Sequence, residues 1–138
     1  MTPMLSYEDG PGAIAWLSAV FGFRERAGSR VVGPDGRLLH AELEFGGGRV
    51  MLATPTRDYQ SPRRHRQQCA AASTWSATPL IIDGVLVEVD DVDTHYTHAC
   101  AAGASILSEL EDAEPGRRYR AEDLEGHRWM FVQRARAD

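Results

Sequence analysis

The side chains able to do chemistry fall into a few short runs. From Leu38 to Phe45 the residue types alternate, so Leu39, Ala41, Leu43 and Phe45 should share one face of a strand and His40, Glu42 and Glu44 the other. An imidazole beside a carboxylate can serve as a general acid/base, with His40 as the proton carrier and Glu42 as the group that orients it, acting on a carbonyl or enolisable substrate. The same residues also read as a solvated strand face or as a satisfied polar pair, and the residue pattern leaves the three readings open. Neither a nucleophile nor an oxyanion hole accompanies them.

Other reactive groups are scattered. His95 and His98 sit three apart on a predicted helix, a spacing that usually gives two solvated side chains on one face. Cys69 and Cys100 occur in unlike surroundings without a C-x-x-C spacing, which supplies no disulfide framework and no zinc signature, so a reducing cytoplasm is the expected location. The basic run Arg63-Arg64-His65-Arg66 falls where neither strand nor helix periodicity is visible and reads as a solvated loop. Trp75 is the large aromatic of that same stretch, expected either to fold over a pocket or to anchor between modules or subunits.

The elements that must position these groups form two similar series. Met4 to Tyr7 alternates and runs into the turn Glu8-Asp9-Gly10-Pro11. A helix follows, with Asp9 as cap, Pro11 in the first turn, Ile14, Leu17, Val20 and Phe21 at helical spacing, and Gly22 as a left-handed stop. Phe23 to Val32, Leu38 to Phe45 and Arg49 to Ala53 are predicted strands, separated by Gly33-Pro34-Asp35-Gly36 and Gly46-Gly47-Gly48. Residues 54–82 lose all pattern and read as a linker, lid or mobile loop. The series then resumes: a strand at Val85, Val87 and Val89, a helix from Val92 to Ala102 stopped by Gly103, and strands near 105–110, 118–121 and 127–133.

Direct alignment supports a duplication. Met51 falls on Met130 at an offset of 79, while Asp9 falls on Asp91 at an offset of 82. Each half alone would expose one apolar sheet face and needs the other to cover it. The expected division is 1–54 as a first β-α-β-β-β module, 55–82 as the linker and 83–138 as a second. With 138 residues, 43% hydrophobic and 25% charged, the chain fits one ordinary globular domain of the α+β class. A net charge of −5 argues against nucleic acid as a partner, and the lack of a long apolar run argues against a signal peptide or membrane span.

Four stretches, Ala13-Ile14-Ala15-Trp16-Leu17 to Phe21-Gly22-Phe23, Leu39-His40-Ala41-Glu42-Leu43, Val87-Glu88-Val89-Asp90-Asp91-Val92-Asp93 and Asp123-Leu124-Glu125-Gly126-His127, resemble the vicinal oxygen chelate superfamily of glyoxalases, bleomycin resistance proteins and dioxygenases. The resemblance implies a glyoxalase/bleomycin resistance-like fold, with two β-α-β-β-β modules forming a cup-shaped half-barrel, commonly as a homodimer. It also implies four metal-ligand positions, which fall here at about Thr2, Met51, Gly84 and Met130. Thioethers, a glycine and a lone hydroxyl are poor partners for hard or borderline divalent ions, so the expectation is no cofactor and no catalytic metal.

Strand alternation then aims Gly84, Leu86, Glu88, Met4, Ser6, Met51, Arg128 and Met130 into the cup, with His40, Glu42 and Glu44 on its wall, Arg128 at its rim and Trp75 above. Trp129 and Phe131 should instead pack on the second helix. Flexible Met side chains suit ligands of irregular shape. The expected function is binding or sequestration of a small organic molecule, such as an antibiotic or metabolite. The alternative is a metal-independent lyase- or isomerase-type enzyme using His40 and Glu42, and a metal-dependent lyase or dioxygenase is the weaker third reading.

Overall fold

The computed structural model describes residues 1–80 and 83–136; residues 81 and 82, at the end of the predicted linker, and the last two residues lie outside the described part. In the first half, β1 (Met4–Ser6) leads into α1 (Gly10–Phe21), and β2 (Arg24–Glu25), β3 (Val31–Val32), β4 (Leu38–Phe45) and β5 (Gly48–Ala53) follow. The second half contains β6 (Gly84–Glu88), α4 (Val92–Ala101), β7 (Ser105–Glu111), β8 (Gly116–Glu122) and β9 (Arg128–Arg134). Their sheets have the matching orders β1-β5-β4-β2, with β3 also on β4, and β6-β9-β8-β7.

The duplication extends to single residues. Both first strands pair in parallel with the last strand of their own half, Met4 opposite Met51 and Leu86 opposite Met130, which reproduces the offsets of 82 and 79. Each helix starts on an aspartate cap: Asp9 accepts from the Gly12 amide and Asp91 from the Thr94 amide, both at 3.0 Å. Each is followed by a glycine of positive φ, Gly22 at 82° and Gly103 at 96°.

Two sequence expectations are corrected. The strand predicted over Phe23 to Val32 is broken into the two-residue β2 and β3, because Gly28 turns the chain at a φ of 74° and Ser29 bonds back to Arg26. The stretch after residue 54 is not patternless loop, since it forms α2 (Pro62–Gln68) and α3 (Ala70–Ser76). Neither helix has a buried residue, so no apolar stripe announced them.

One core holds both halves together. Ile14, Leu17 and Phe21 of α1, Val92 and Ala99 of α4, Ala41, Leu43, Val50 and Leu52 of the first sheet, and Tyr119, Ala121, Trp129 and Phe131 of the second belong to a single buried cluster. Trp129 packs on Phe21 and Phe23 of the first half, and Phe131 on both Phe21 and His95, so the expectation that these rings serve the second helix alone is too narrow. Of the two histidines expected to be solvated, His98 is exposed and His95 is not. His95 bridges the Tyr119 hydroxyl at 2.7 Å and the Phe21 carbonyl at 2.8 Å, and His98 reaches the Ala19 carbonyl.

The polar centre of this join is Asp123. Its buried carboxylate accepts from the Tyr7 hydroxyl at 2.6 Å, the Trp129 indole at 3.1 Å and the amides of Glu125 and His127 at 3.0 Å. Glu125 beside it accepts from the Glu8 and Asp9 amides, fastening the β8–β9 turn to the start of α1. Asp123→Ala should therefore strand several buried donors and lower stability by about 3 kcal/mol or more, whereas Tyr7→Phe, which removes one bond, should cost about 1 kcal/mol. Urea unfolding followed by tryptophan fluorescence checks both values, and equal effects would contradict the assignment of Asp123 as the shared acceptor.

Candidate functional site

Because the core takes one face of each sheet, the candidate site residues lie on the other faces, away from α1 and α4. On the first sheet that face carries Met4, Met51, His40, Glu42 and Glu44, as strand alternation requires. Leu39 departs from the predicted pattern: it is exposed rather than grouped with Ala41 and Leu43, and Leu38 is buried in its place. The local twist change at the β3–β4 irregularity, where Val31 pairs with His40 but Val32 with Leu38, accounts for the switch.

This face is a ladder of ion pairs. Glu42 receives Arg26 at 2.7 Å and Arg49 at 3.4 Å, and Glu44 receives Arg49 at 3.6 Å and Arg24 at 3.5 Å. His40 approaches Glu42 at 3.5 Å. The Arg26 hydrogen bond, against a desolvation that acts upward, holds the Glu42 carboxyl below its usual range, with Arg49 adding to the pull. Glu42 thus spends its charge chiefly on guanidinium groups.

The second sheet's free face carries Leu86, Glu88, Arg128 and Met130. Leu86 is 43% exposed, and Glu88 is exposed and paired with Arg134. Arg128 is the main departure from the sequence reading, because it is buried rather than placed at a rim. Its guanidinium donates to Glu122 at 3.0 Å and to the carbonyls of Ser76 and Thr78 at 2.5 and 2.7 Å.

Glu122 explains how the segment after residue 54 is held. Buried itself, it accepts a two-pronged pair from Arg66 on α2 as well as the Arg128 bonds. Arg64 pairs with Glu8 at 2.7 Å, and the Arg63 amide donates to the Glu125 carbonyl at 2.9 Å. The basic run is therefore a clamp and not a solvated loop. Gly126 is what permits the approach, since it has a φ of 92° and a Cβ there would meet the Arg63 nitrogen at 2.8 Å. Arg66, Glu122 and Gly126 went unread as a group because they are far apart in sequence.

Three cavities border this arrangement. The first, about 490 Å³, opens between α2 and α3 and is lined by Tyr59, Pro62, His65, Arg66 and Trp75, with Trp75 61% exposed. A second, about 600 Å³, lies between these helices and the sheet, where Arg66, Ser73, Leu107, Glu122 and Arg128 meet. The third, about 180 Å³, runs over the sheet past Leu80, Leu86, Arg120, Arg128 and Met130. His40, Glu42, Glu44 and Met51 line none of the three, and Leu86 and Glu88 also border a groove of about 450 Å³ shared with Phe45 and Arg49.

At the four positions that the family resemblance assigns to a metal, the donor set does not fit one. Thr2 is exposed ahead of β1, Met51 and Met130 present thioethers, and Gly84 presents nothing. Among the described residues no three His, Cys, Asp or Glu side chains come together as a metal site.

Comparison with known proteins agrees with the paired βαβββ geometry. Residues 3–131 match the profile of the Glyoxalase/Bleomycin resistance protein/Dioxygenase superfamily, and the chain belongs to that family. An uncharacterized protein of Mycobacterium tuberculosis is 33% identical over 137 residues, covering 99% of this chain and 75% of that one. The crystal structure of TioX from Micromonospora sp. ML1 is 34% identical with a TM-score of 0.67, covering 98% of both chains. That of TnmS3, an antibiotic binding protein from Streptomyces sp. CB03234, shares the fold at 18% identity and a TM-score of 0.65, covering 98% of this chain and 96% of that one. No helix among the described residues is long and apolar enough to cross a membrane.

Burial pushes the Glu122 carboxyl up, but the bonds and charges of Arg66 and then Arg128 outweigh it and leave it below its ordinary 4.5. A depressed carboxyl stabilises the fold above its unfolded pKa and loses that contribution as pH falls through the folded one. Docking of α2 and α3 should accordingly weaken below pH 4.5, and Glu122→Gln should weaken it at neutral pH. Hydrogen exchange read by mass spectrometry should show residues 62–76 exchanging at least several-fold faster in that variant, with β4 and β5 unchanged.

Proposed function

We propose that this protein binds and sequesters a small organic molecule, such as an antibiotic or a metabolite, without a catalytic metal and without changing the molecule chemically. The observation that carries this reading is the second sheet's free face, where Leu86 and Met130 form a soft apolar floor beside the guanidinium groups of Arg120 and Arg128, with Arg128 also bordering the cavity under α2 and α3. Concave, mainly apolar surfaces with a few oriented polar groups are what small-molecule sites require. The thioether and glycine donor set supports the metal-free part, and the antibiotic-binding description of TnmS3 supports the ligand class. The exposed Trp75 offers an aromatic wall in the separate cavity between α2 and α3.

One observation favours a second reading, metal-independent catalysis: His40 stands 3.5 Å from Glu42. Against it, the Glu42 carboxylate is already engaged by Arg26 and Arg49. A thermal-shift screen of aromatic antibiotics and metabolites should find ligands that raise the unfolding midpoint. Each hit should be recovered unchanged after prolonged incubation, and His40→Ala should bind it with unaltered affinity. Consumption of the compound by the parent protein but not by His40→Ala would move the assignment to the catalytic reading.

The proposal includes a homodimer working in the cytoplasm. Met4 at 77% exposure, with Val31, Val32, Leu39 and Leu86 also open to solvent, gives the single chain an uncovered apolar fringe around its free faces. A second copy would cover it and close the candidate pocket. Sedimentation at micromolar concentration should give twice the 15.2 kDa chain mass, and a monomer at that concentration would argue against the shared pocket.

A further inference from the structure

Register aligns one row of side chains across the second sheet's free face: Leu86 opposite Met130, Met130 opposite Arg120, and Arg120 opposite Ser108. The guanidiniums around Arg120 each have a close carboxylate. Arg118 has Glu111 at 3.0 Å, Arg128 has Glu122 at 3.0 Å, and Arg66 and Arg134 pair closely with Glu122 and Glu88. Arg120 has only Glu111, at 3.9 Å, a distance beyond a hydrogen bond to a carboxylate that already accepts from Arg118.

Its side chain is nonetheless only 17% exposed, and it donates no hydrogen bond among the described residues. Ser108, the next member of the row, buries a hydroxyl that also has no partner there. A buried hydroxyl without a partner, beside a guanidinium that no short bond holds, leaves room for an acceptor that the chain does not itself supply. Burial, followed by the charge of Arg118, draws the Arg120 guanidinium below its ordinary value, and only Glu111 pulls it back. It stays charged in any protein setting, so the remedy is an anion.

The cavity beside it fits that need. About 180 Å³ in volume, it is lined by Leu80, Leu86, Trp129 and Met130 together with Arg120 and Arg128, and no Asp or Glu lines it among the described residues. Apolar walls and a guanidinium whose nearest carboxylate stands 3.9 Å away select a molecule with a flat apolar body and one anionic group.

We propose that Arg120 is the anion anchor of the ligand site, so that the bound molecule is a planar, mainly apolar acid whose carboxylate or equivalent anion pairs with Arg120 while its ring lies on Leu86 and Met130. This deepens the small-molecule reading and rests on it. It also reverses the charge preference suggested by the first sheet's carboxylates, which are occupied by Arg24, Arg26 and Arg49. A planar carboxylate meets a guanidinium through two parallel bonds, a geometry that an ammonium cannot copy.

The test compares 2-naphthoate with its uncharged analogue 2-naphthamide by calorimetry on the full chain. The acid should bind roughly tenfold more tightly than the amide, a difference typical of one charge-assisted contact. Arg120→Met, which keeps the apolar stem, and Arg120→Gln, which keeps hydrogen-bonding capacity, should both lose that preference while still binding the amide. Arg120→Lys should keep only part of it. Circular dichroism melts identify which variants fold, and the preference surviving in any folded neutral variant overturns the proposal. Equal affinity of the parent protein for both compounds overturns the anchor and leaves the small-molecule pocket standing. Binding of neither at millimolar concentration overturns the pocket reading along with it.

Discussion

A single buried carboxylate, Asp123, ties the two halves of this chain into one body. It gathers a hydroxyl from Tyr7 just after the first strand, an indole from the last strand and two amides of the turn between β8 and β9. A charge so deep is tolerable only when its acceptor sites are filled, and here four donors come from opposite ends of the sequence. The requirement fixes where Tyr7 and Trp129 stand, and through them the approach of both sheets to their shared core.

That approach decides what is left for ligand. Once α1 and α4 occupy one face of each sheet with the help of Phe21, Phe131 and His95, the opposite faces are all that remain for chemistry. The two faces differ in character. On the first sheet, acids and bases neutralise one another along β4, leaving His40 the group without a strong bond. On the second, the arginines of β8 and β9 exceed the carboxylates that face them, and a helical strap is drawn in by Glu122 to roof one end. Guanidinium groups therefore gather on this one face of the second sheet, although residues 83–138 as a whole carry more Asp and Glu than Arg.

Much of the framework was legible in the residues. Asp9 and Asp91 as caps, Gly22 and Gly103 as stops, and the Met51–Met130 correspondence are local signals, set by backbone geometry within a turn or a strand, and the structure bears each of them out. The strap was invisible for a definite reason: helices without a buried stripe give no periodic signal, so Ser61 capping α2 and Pro62 in its first turn were the local cues available. Arg128 and the basic run were misread as rim and solvated loop, because a charge looks exposed in sequence until its partner is known. Arg120 passed unnoticed for the complementary reason, since the length of its contact with Glu111 is set only when the chain is folded.

Sequence alone determined the duplicated βαβββ order, the caps and stops, and the side-chain types at the four positions that the family resemblance assigns to a metal, because each depends on neighbours a few residues away. Tertiary structure alone decided which charges are buried, which are paired and which are left over, because Glu122 meets Arg66 across 56 positions and Asp123 meets Tyr7 across 116. Solvation and pairing are properties of where distant groups come to rest, and for this protein they separate arginines held by short bonds, such as Arg66 and Arg128, from Arg120, whose nearest carboxylate is Glu111 at 3.9 Å.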